Sequence, residues 1–296
     1  VIAGLAADGV LKKSKTGGFY SRIRRPQHSV GIRSIGRSLK LKREDGRIIG
    51  ELDGKRIYRD GFPGAIYMHL GKQYEILSLD IYNHTAFCRE VEAGYYTHAI
   101  SDEHIEINGV PEKKPSGLSG GIDLYSGKVT ITYHVVGYDK KSLFDGTRIS
   151  RQPVEMPKYV FESEGVWMLI SKSLAKEITE KGFDLPGTLH AAEHVTISAL
   201  PLFALCDKAD LGGLSYPLYP ESDTPAIFIY DGHEGGIGLA KRVLYSPLEW
   251  IETAIGILKA CDCEDGCPSC VQDSQCGSAN KSLDKKGALY FLNSLS

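Results

Sequence analysis

Five of the chain's seven cysteines lie between Cys261 and Cys276, in the string CDCEDGCPSCVQDSQC. The first four, Cys261, Cys263, Cys267 and Cys270, stand as C-x-C-x3-C-x2-C. A disulfide reading requires an oxidising compartment, and nothing in the sequence marks export. Zinc instead takes four soft ligands at tetrahedral corners, each about 2.3 Å from the metal, and the tight Gly-Cys-Pro-Ser-Cys turn suits that geometry. A structural zinc site at Cys261, Cys263, Cys267 and Cys270 is therefore the reading of this segment, with Cys276 as the spare candidate. A thiol redox sensor is the alternative. Cys88 and Cys206 read as small buried hydrophobes.

A second cluster of candidate ligands sits at LHAAEH, where His190, Glu193 and His194 form H-x-x-E-H. One helical turn separates the two histidines, which is the arrangement of an inverted zinc-peptidase motif. A zinc-dependent hydrolase built on these three residues is the rival functional reading. Helix packing explains the same string without chemistry.

Along the 296 residues, three regions differ in character. Residues 1–27 form a basic N-terminal segment. Residues 28–160 form a strand-rich lobe, with β-branched and aromatic residues alternating between Asp-Gly and Asn-Gly turns, as in a small barrel or curved sheet. Residues 161–296 form a helical lobe. Its helices are expected at SLAKEITEKG, GTLHAAEHVTISALPLFAL, PLEWIETAIGILKACD and SLDKKGALYFLNSL, and TPAIFIYD reads as a buried strand leading into a glycine-rich turn that opens a helix. The class is α+β. The string SDEH at Ser101–His104 reads as a loop.

Charge is uneven: residues 1–60 hold 15 basic and six acidic side chains, net +9, in a chain whose total is −2. A basic block of this kind suits an anionic partner such as nucleic acid. Arg33, Arg37, Lys40, Lys42 and Arg43 are the candidate phosphate contacts, with Tyr67, Tyr74 and Tyr82 as candidate stacking platforms under bases. No Walker A loop occurs, so ATP hydrolysis within these residues is not expected. No apolar run reaches the roughly 18 residues of a membrane span and the start lacks a signal-peptide pattern, so no membrane partner and a cytoplasmic location are expected. The chain begins without methionine in a tail-like segment, as a piece of a longer protein would.

Four longer phrases converge on one family: GFPGAIYMHLGKQYEILSLD, LHAAEHVTISALPLFALCDKADLGG, IFIYDGHEGGIGLAKR and CDCEDGCPSCVQDSQCGSANKSLDKKGAL. Together they resemble the C-terminal region of the mitomycin-repair-factor-A type of superfamily-two DNA helicases. The resemblance extends over most of the chain. It implies a non-motor zinc-binding domain beside ATPase lobes, in an ATP-dependent helicase that unwinds DNA from a 3′ overhang during repair. It also implies metal ligation by Cys261, Cys263, Cys267 and Cys270, single-stranded or forked DNA as partner, and a framework role for the H-x-x-E-H helix.

Overall fold

Leu39 and Leu41 are buried while Lys40 between them is exposed, the alternation of a strand with one wet face. That strand belongs to a computed structural model describing residues 11–21, 38–119 and 122–296. The chain divides into two units, 1–35 and 36–296. Of the first, the described part is a hairpin of β1 (Leu11–Lys13) and β2 (Phe19–Ser21). The expected contacts Arg33 and Arg37 lie outside the described residues.

The second unit contains two sheets. The first is five-stranded and orders β3 (Ser38–Arg43), β4 (Ile48–Asp53), β5 (Ile66–His69), β6 (Lys72–Asp80) and β7 (Thr85–Val91) as β4-β3-β7-β6-β5. All its pairings are antiparallel except β3 with β7. A short helix α1 (Gly54–Asp60) follows β4, and Ile57, Phe62, Tyr74 and Cys88 fill the core of this sheet together with Leu39 and Leu41.

Two long strands dominate the second sheet: β8 (Tyr95–Lys114) and β9 (Leu124–Ser142), 20 and 19 residues. They pair antiparallel along their length, with register shifts at Ile100/Ser101 and Asn108/Glu112. Ser101–His104, read above as a loop, lies within β8. Its alternating side chains continue a ladder formed by long-range pairing to β9, a contact invisible in a four-residue window. The other edge of β9 takes β10 (Arg148–Pro153) and β11 (Tyr159–Leu169), and β11 continues to β13 (Thr224–Asp231) and β12 (Leu211–Tyr219). Residue 160, where the sequence reading divides its lobes, falls inside β11.

β13 reads as an unbroken apolar run because both faces of the sheet are covered there. Ile227 and Ile229 face one core with the helices, whereas Ala226, Phe228 and Tyr230 face another with Trp167, Phe161 and Ile105. The helices on the first face are α2 (Lys172–Glu180), α3 (Leu185–Ala199), α4 (Pro247–Lys259) and α5 (Lys285–Asn293). α3 starts where the Asp184 carboxylate accepts from the Gly187 N–H at 2.9 Å. It ends at Leu200–Leu202, a 3-10 turn carrying Pro201. α4 buries Trp250, whose indole N–H donates to the Thr196 carbonyl of α3 at 2.9 Å.

The glycine-rich turn after β13 opens a helix as expected, but one of 3-10 form. Gly235, Gly236 and Gly238 all have positive φ, and the chain enters a 3-10 segment at Ala240–Tyr245. The carboxylate of Asp231 accepts backbone N–H bonds from Ile237, Gly238, Leu239 and Ala240 at 2.6, 2.6, 3.1 and 2.7 Å. The amides that a phosphate cradle would offer are thus already bonded to an internal anion.

Candidate metal centre

α4 delivers the chain to Cys261, where the backbone leaves helical geometry after Ala260. Within the next ten residues it reverses twice. Gly266 makes the first reversal possible: its φ is +102°, and a Cβ there would strike the Val271 side chain. The second is the Cys267–Cys270 turn, in which the Cys267 carbonyl accepts from the N–H groups of Cys270, Val271 and Gln272 at 3.0, 3.2 and 3.1 Å. The Cys267 N–H in turn points at the Cys270 sulfur, 3.3 Å away.

These turns bring four sulfurs together. Sγ–Sγ distances are 3.5 Å for Cys261–Cys263, 3.4 Å for Cys261–Cys267, 3.4 Å for Cys263–Cys270 and 3.9 Å for Cys267–Cys270, and all four atoms lie within 4.8 Å of one another. A tetrahedron with metal–sulfur bonds of about 2.3 Å has edges of roughly 3.8 Å. The four separations are within about 0.4 Å of that edge, so the thiols suit a tetrahedral metal ion. The Ser269 N–H and the Cys261 thiol hold Cys267 down to about 6, while burial pushes Cys270 up to about 12.

Lys285, at the first turn of α5, completes this centre, and nothing in the cysteine spacing announces it. Its ammonium donates to the carbonyls of Cys261 and Cys263 at 2.5 and 2.6 Å and lies 3.4 Å from the Cys263 sulfur. Burial disfavours its charge, but the neighbouring thiols outweigh that and hold its pKa above the usual lysine value. The available signal was electrostatic: Lys285 and Lys286 open a helix, where the macrodipole disfavours cations.

Cys276 lies outside this cluster. Its sulfur sits 3.5 Å from His190 Nε2, and the ligand atoms of His190, His194 and Cys276 lie within 4.8 Å of one another. Glu193 does not join them. It is buried, its carboxyl pushed up to about 7 by desolvation, and it packs toward Gly213 of β12. Glu193 is thus outside that ligand set, although it lines the same cavity as both histidines.

The candidate DNA contacts divide similarly. Lys40 is exposed and Lys42 half-buried on β3, whereas Arg43 is engaged by Asp45 and by Glu90 at 3.4 Å. Of the candidate stacking tyrosines, Tyr74 is in the core, Tyr67 is half-buried and Tyr82 is 92% exposed. Cys88 is fully buried, but Cys206 is only partly so.

The MrfA Zn-binding domain model matches residues 192–271, a span that contains all four clustered cysteines. An uncharacterized protein of Methanocaldococcus jannaschii is 39% identical over 110 residues, 98% of that protein and 36% of this chain. The chain belongs to the MrfA zinc-binding domain family. A further relative is the uncharacterized ATP-dependent helicase YprA of Bacillus subtilis (strain 168), 30% identical over 230 residues, which are 76% of this chain and 29% of YprA. The chain thus spans less than a third of that relative's length. Its fold is that of the crystal structure of DUF1998 helicase MrfA bound to DNA, with a TM-score of 0.56 at 24% identity, covering 99% of this chain and 38% of that one. Among the described residues no helix is long and apolar enough to cross a membrane.

Proposed function

We propose that this chain is the non-motor, zinc-binding domain of an ATP-dependent 3′–5′ DNA helicase, guiding single-stranded or forked DNA past the motor lobes of the same parent chain during repair. The observation that carries the proposal is the tetrahedral spacing of the Cys261, Cys263, Cys267 and Cys270 sulfurs within the family-matched segment. The helicase context draws on the name of the YprA relative, and the DNA partner on the DNA-bound MrfA structure.

In this role the ion would be zinc and its work structural. Held by the four thiolates, it supplies on the order of 10 kcal/mol to fold a segment with little core of its own. The chain's own residues do the rest. Gly266 and the Cys267 carbonyl set the turns, and Lys285 compensates the negative charge that four thiolates leave around a divalent ion. Lys40 and Lys42 on β3 offer cations to a phosphate backbone, and Tyr82, exposed in the turn leading into the paired strand β7, offers a ring for base stacking. Arg43 contributes less, because Asp45 and Glu90 already engage it.

Two measurements on the 296-residue chain test this reading. Metal analysis should find zinc that is lost from the four-sulfur site in Cys267→Ser. Fluorescence anisotropy with a single-stranded oligonucleotide should show affinity falling steeply between about 50 and 200 mM salt, with a shallower slope in the Lys40→Gln/Lys42→Gln double variant. Absence of zinc from protein purified without chelator would defeat the structural role. A salt-independent affinity would defeat the phosphate contacts.

A further inference from the structure

His190 and His194 lie one turn apart on α3, with ring centroids 4.4 Å apart. Each ring is anchored the same way. His190 Nδ1 lies 3.0 Å from the Lys281 carbonyl, and His194 Nδ1 lies 2.6 Å from the Val271 carbonyl. A carbonyl oxygen can only accept, so each Nδ1 carries the hydrogen and, in the neutral ring, each Nε2 keeps its lone pair. Metal-ligating histidines are oriented by this kind of outer hydrogen bond. His190 Nε2 lies 3.5 Å from the Cys276 sulfur, and one potential ligand atom from each of His190, His194 and Cys276 lies within 4.8 Å of the others.

Cys276 is itself positioned to act as a thiolate. Its sulfur accepts the Asn280 N–H at 3.3 Å and lies 3.2 Å from the Ser278 hydroxyl. His194 and Cys276 are 4% and 9% exposed, so these polar groups have little water to satisfy them. Beside them opens a cavity of about 320 Å³, lined also by Glu193, Lys208 and Asp273.

We propose that His190, His194 and Cys276 form a second metal site, separate from the four-cysteine cluster, that binds a divalent transition ion of zinc's softness. Two imidazoles and one thiolate make three protein donors, the number found where a fourth position is left to water or a small ligand. The adjoining cavity offers room for that ligand. Binding displaces the Cys276 proton to solvent, so that the sulfur enters the site as thiolate. The donors come from α3 and from the loop between Val271 and Asp284, so the ion cross-links the two. Neither the helicase context nor the zinc in the four-cysteine cluster is needed for this argument.

The test counts ions in the full chain. Protein reconstituted with zinc under reducing conditions and desalted should hold two ions. Cys276→Ser, His190→Gln and His194→Gln should each hold one, whereas Cys267→Ser should keep the ion at this second site. Cobalt replacement provides a readout that does not depend on variants. Wild-type protein should give two titration phases, one with the strong sulfur charge-transfer absorption of four thiolates and one with the weaker band of a single thiolate. One ion per chain with only the four-thiolate spectrum overturns the second site and leaves the four-cysteine centre standing. Two ions that persist in Cys276→Ser overturn it as well.

Discussion

The Lys285 ammonium lies 2.6 Å from the carbonyl oxygen of Cys263 and 3.4 Å from the sulfur of the same residue. One cation therefore fixes both the backbone and the charge of the metal-binding turn. Lys285→Met keeps the length of the side chain and removes its three donors. We expect metal affinity to fall about 10- to 100-fold, the usual cost of losing an outer partner of a metal ligand. Competition with a chromophoric chelator measures this directly; unchanged affinity would show that Lys285 only packs.

Gly277 lies against β8, with its carbonyl accepting the Ser101 N–H at 3.3 Å. A Cβ on residue 277 would meet the Ser101 hydroxyl and come within 3.0 Å of the Ser101 carbonyl. Gly277→Ala should cost about 1–3 kcal/mol, as overpacking does. Adding Ser101→Ala, which removes the nearer obstacle, should recover part of the loss in urea unfolding. Simple additivity of the two changes would contradict a direct clash.

Asp231 bonds four consecutive backbone N–H groups, from Ile237 to Ala240. An asparagine has one acceptor oxygen where aspartate has two, and its amide hydrogens would face donors. Asp231→Asn should therefore destabilise the chain by about 2–3 kcal/mol, the scale of a charge-assisted hydrogen bond. Hydrogen exchange should show faster exchange at residues 237–240. Protection there equal to wild type would mean that the glycine turn holds itself.

The Asp139 carboxylate, 3% exposed, takes a two-pronged bond from Arg151 at 2.7 and 2.9 Å. The Arg151 hydrogen bond holds its pKa below the usual carboxylate value. Its stabilising contribution is therefore present above the unfolded value, roughly 4, and is lost as pH falls through the lower folded value. Because Arg151 is 42% exposed, the loss in Arg151→Met should be about 1 kcal/mol at neutral pH. That difference should shrink on acidification. A gap of constant size across pH in urea titrations would assign the effect to packing.

How much of this was legible beforehand depended on the range of the interaction. β13 was readable because its apolar run is itself the evidence of burial on both faces, and α4 because Trp250, Ile251, Ala254, Ile255 and Leu258 repeat at helical spacing. The four clustered cysteines were readable because ten residues hold the whole set. Ser101–His104 was misread because its structure comes from β9, some 30 residues on, and no local pattern encodes that partner. Cys276 stood out as surplus to a four-ligand count, but its company of His190 and His194 lies more than 80 residues upstream. The helix expected after the glycines is present as a 3-10 segment, Ala240–Tyr245, and composition does not distinguish that form from an α-helix.

β8 and β9 together make a beam, and its joints matter more than its length. A bulge is where a ladder yields, by losing pairing and gaining twist. The joint between Ile100 and Ser101 lies where Gly277 and the Cys276 carbonyl touch β8, the latter through His98 Nε2 at 3.1 Å. The segment around Cys276 is clamped to the elbow of the beam, so a bend at that joint would strain both of its hydrogen bonds to β8.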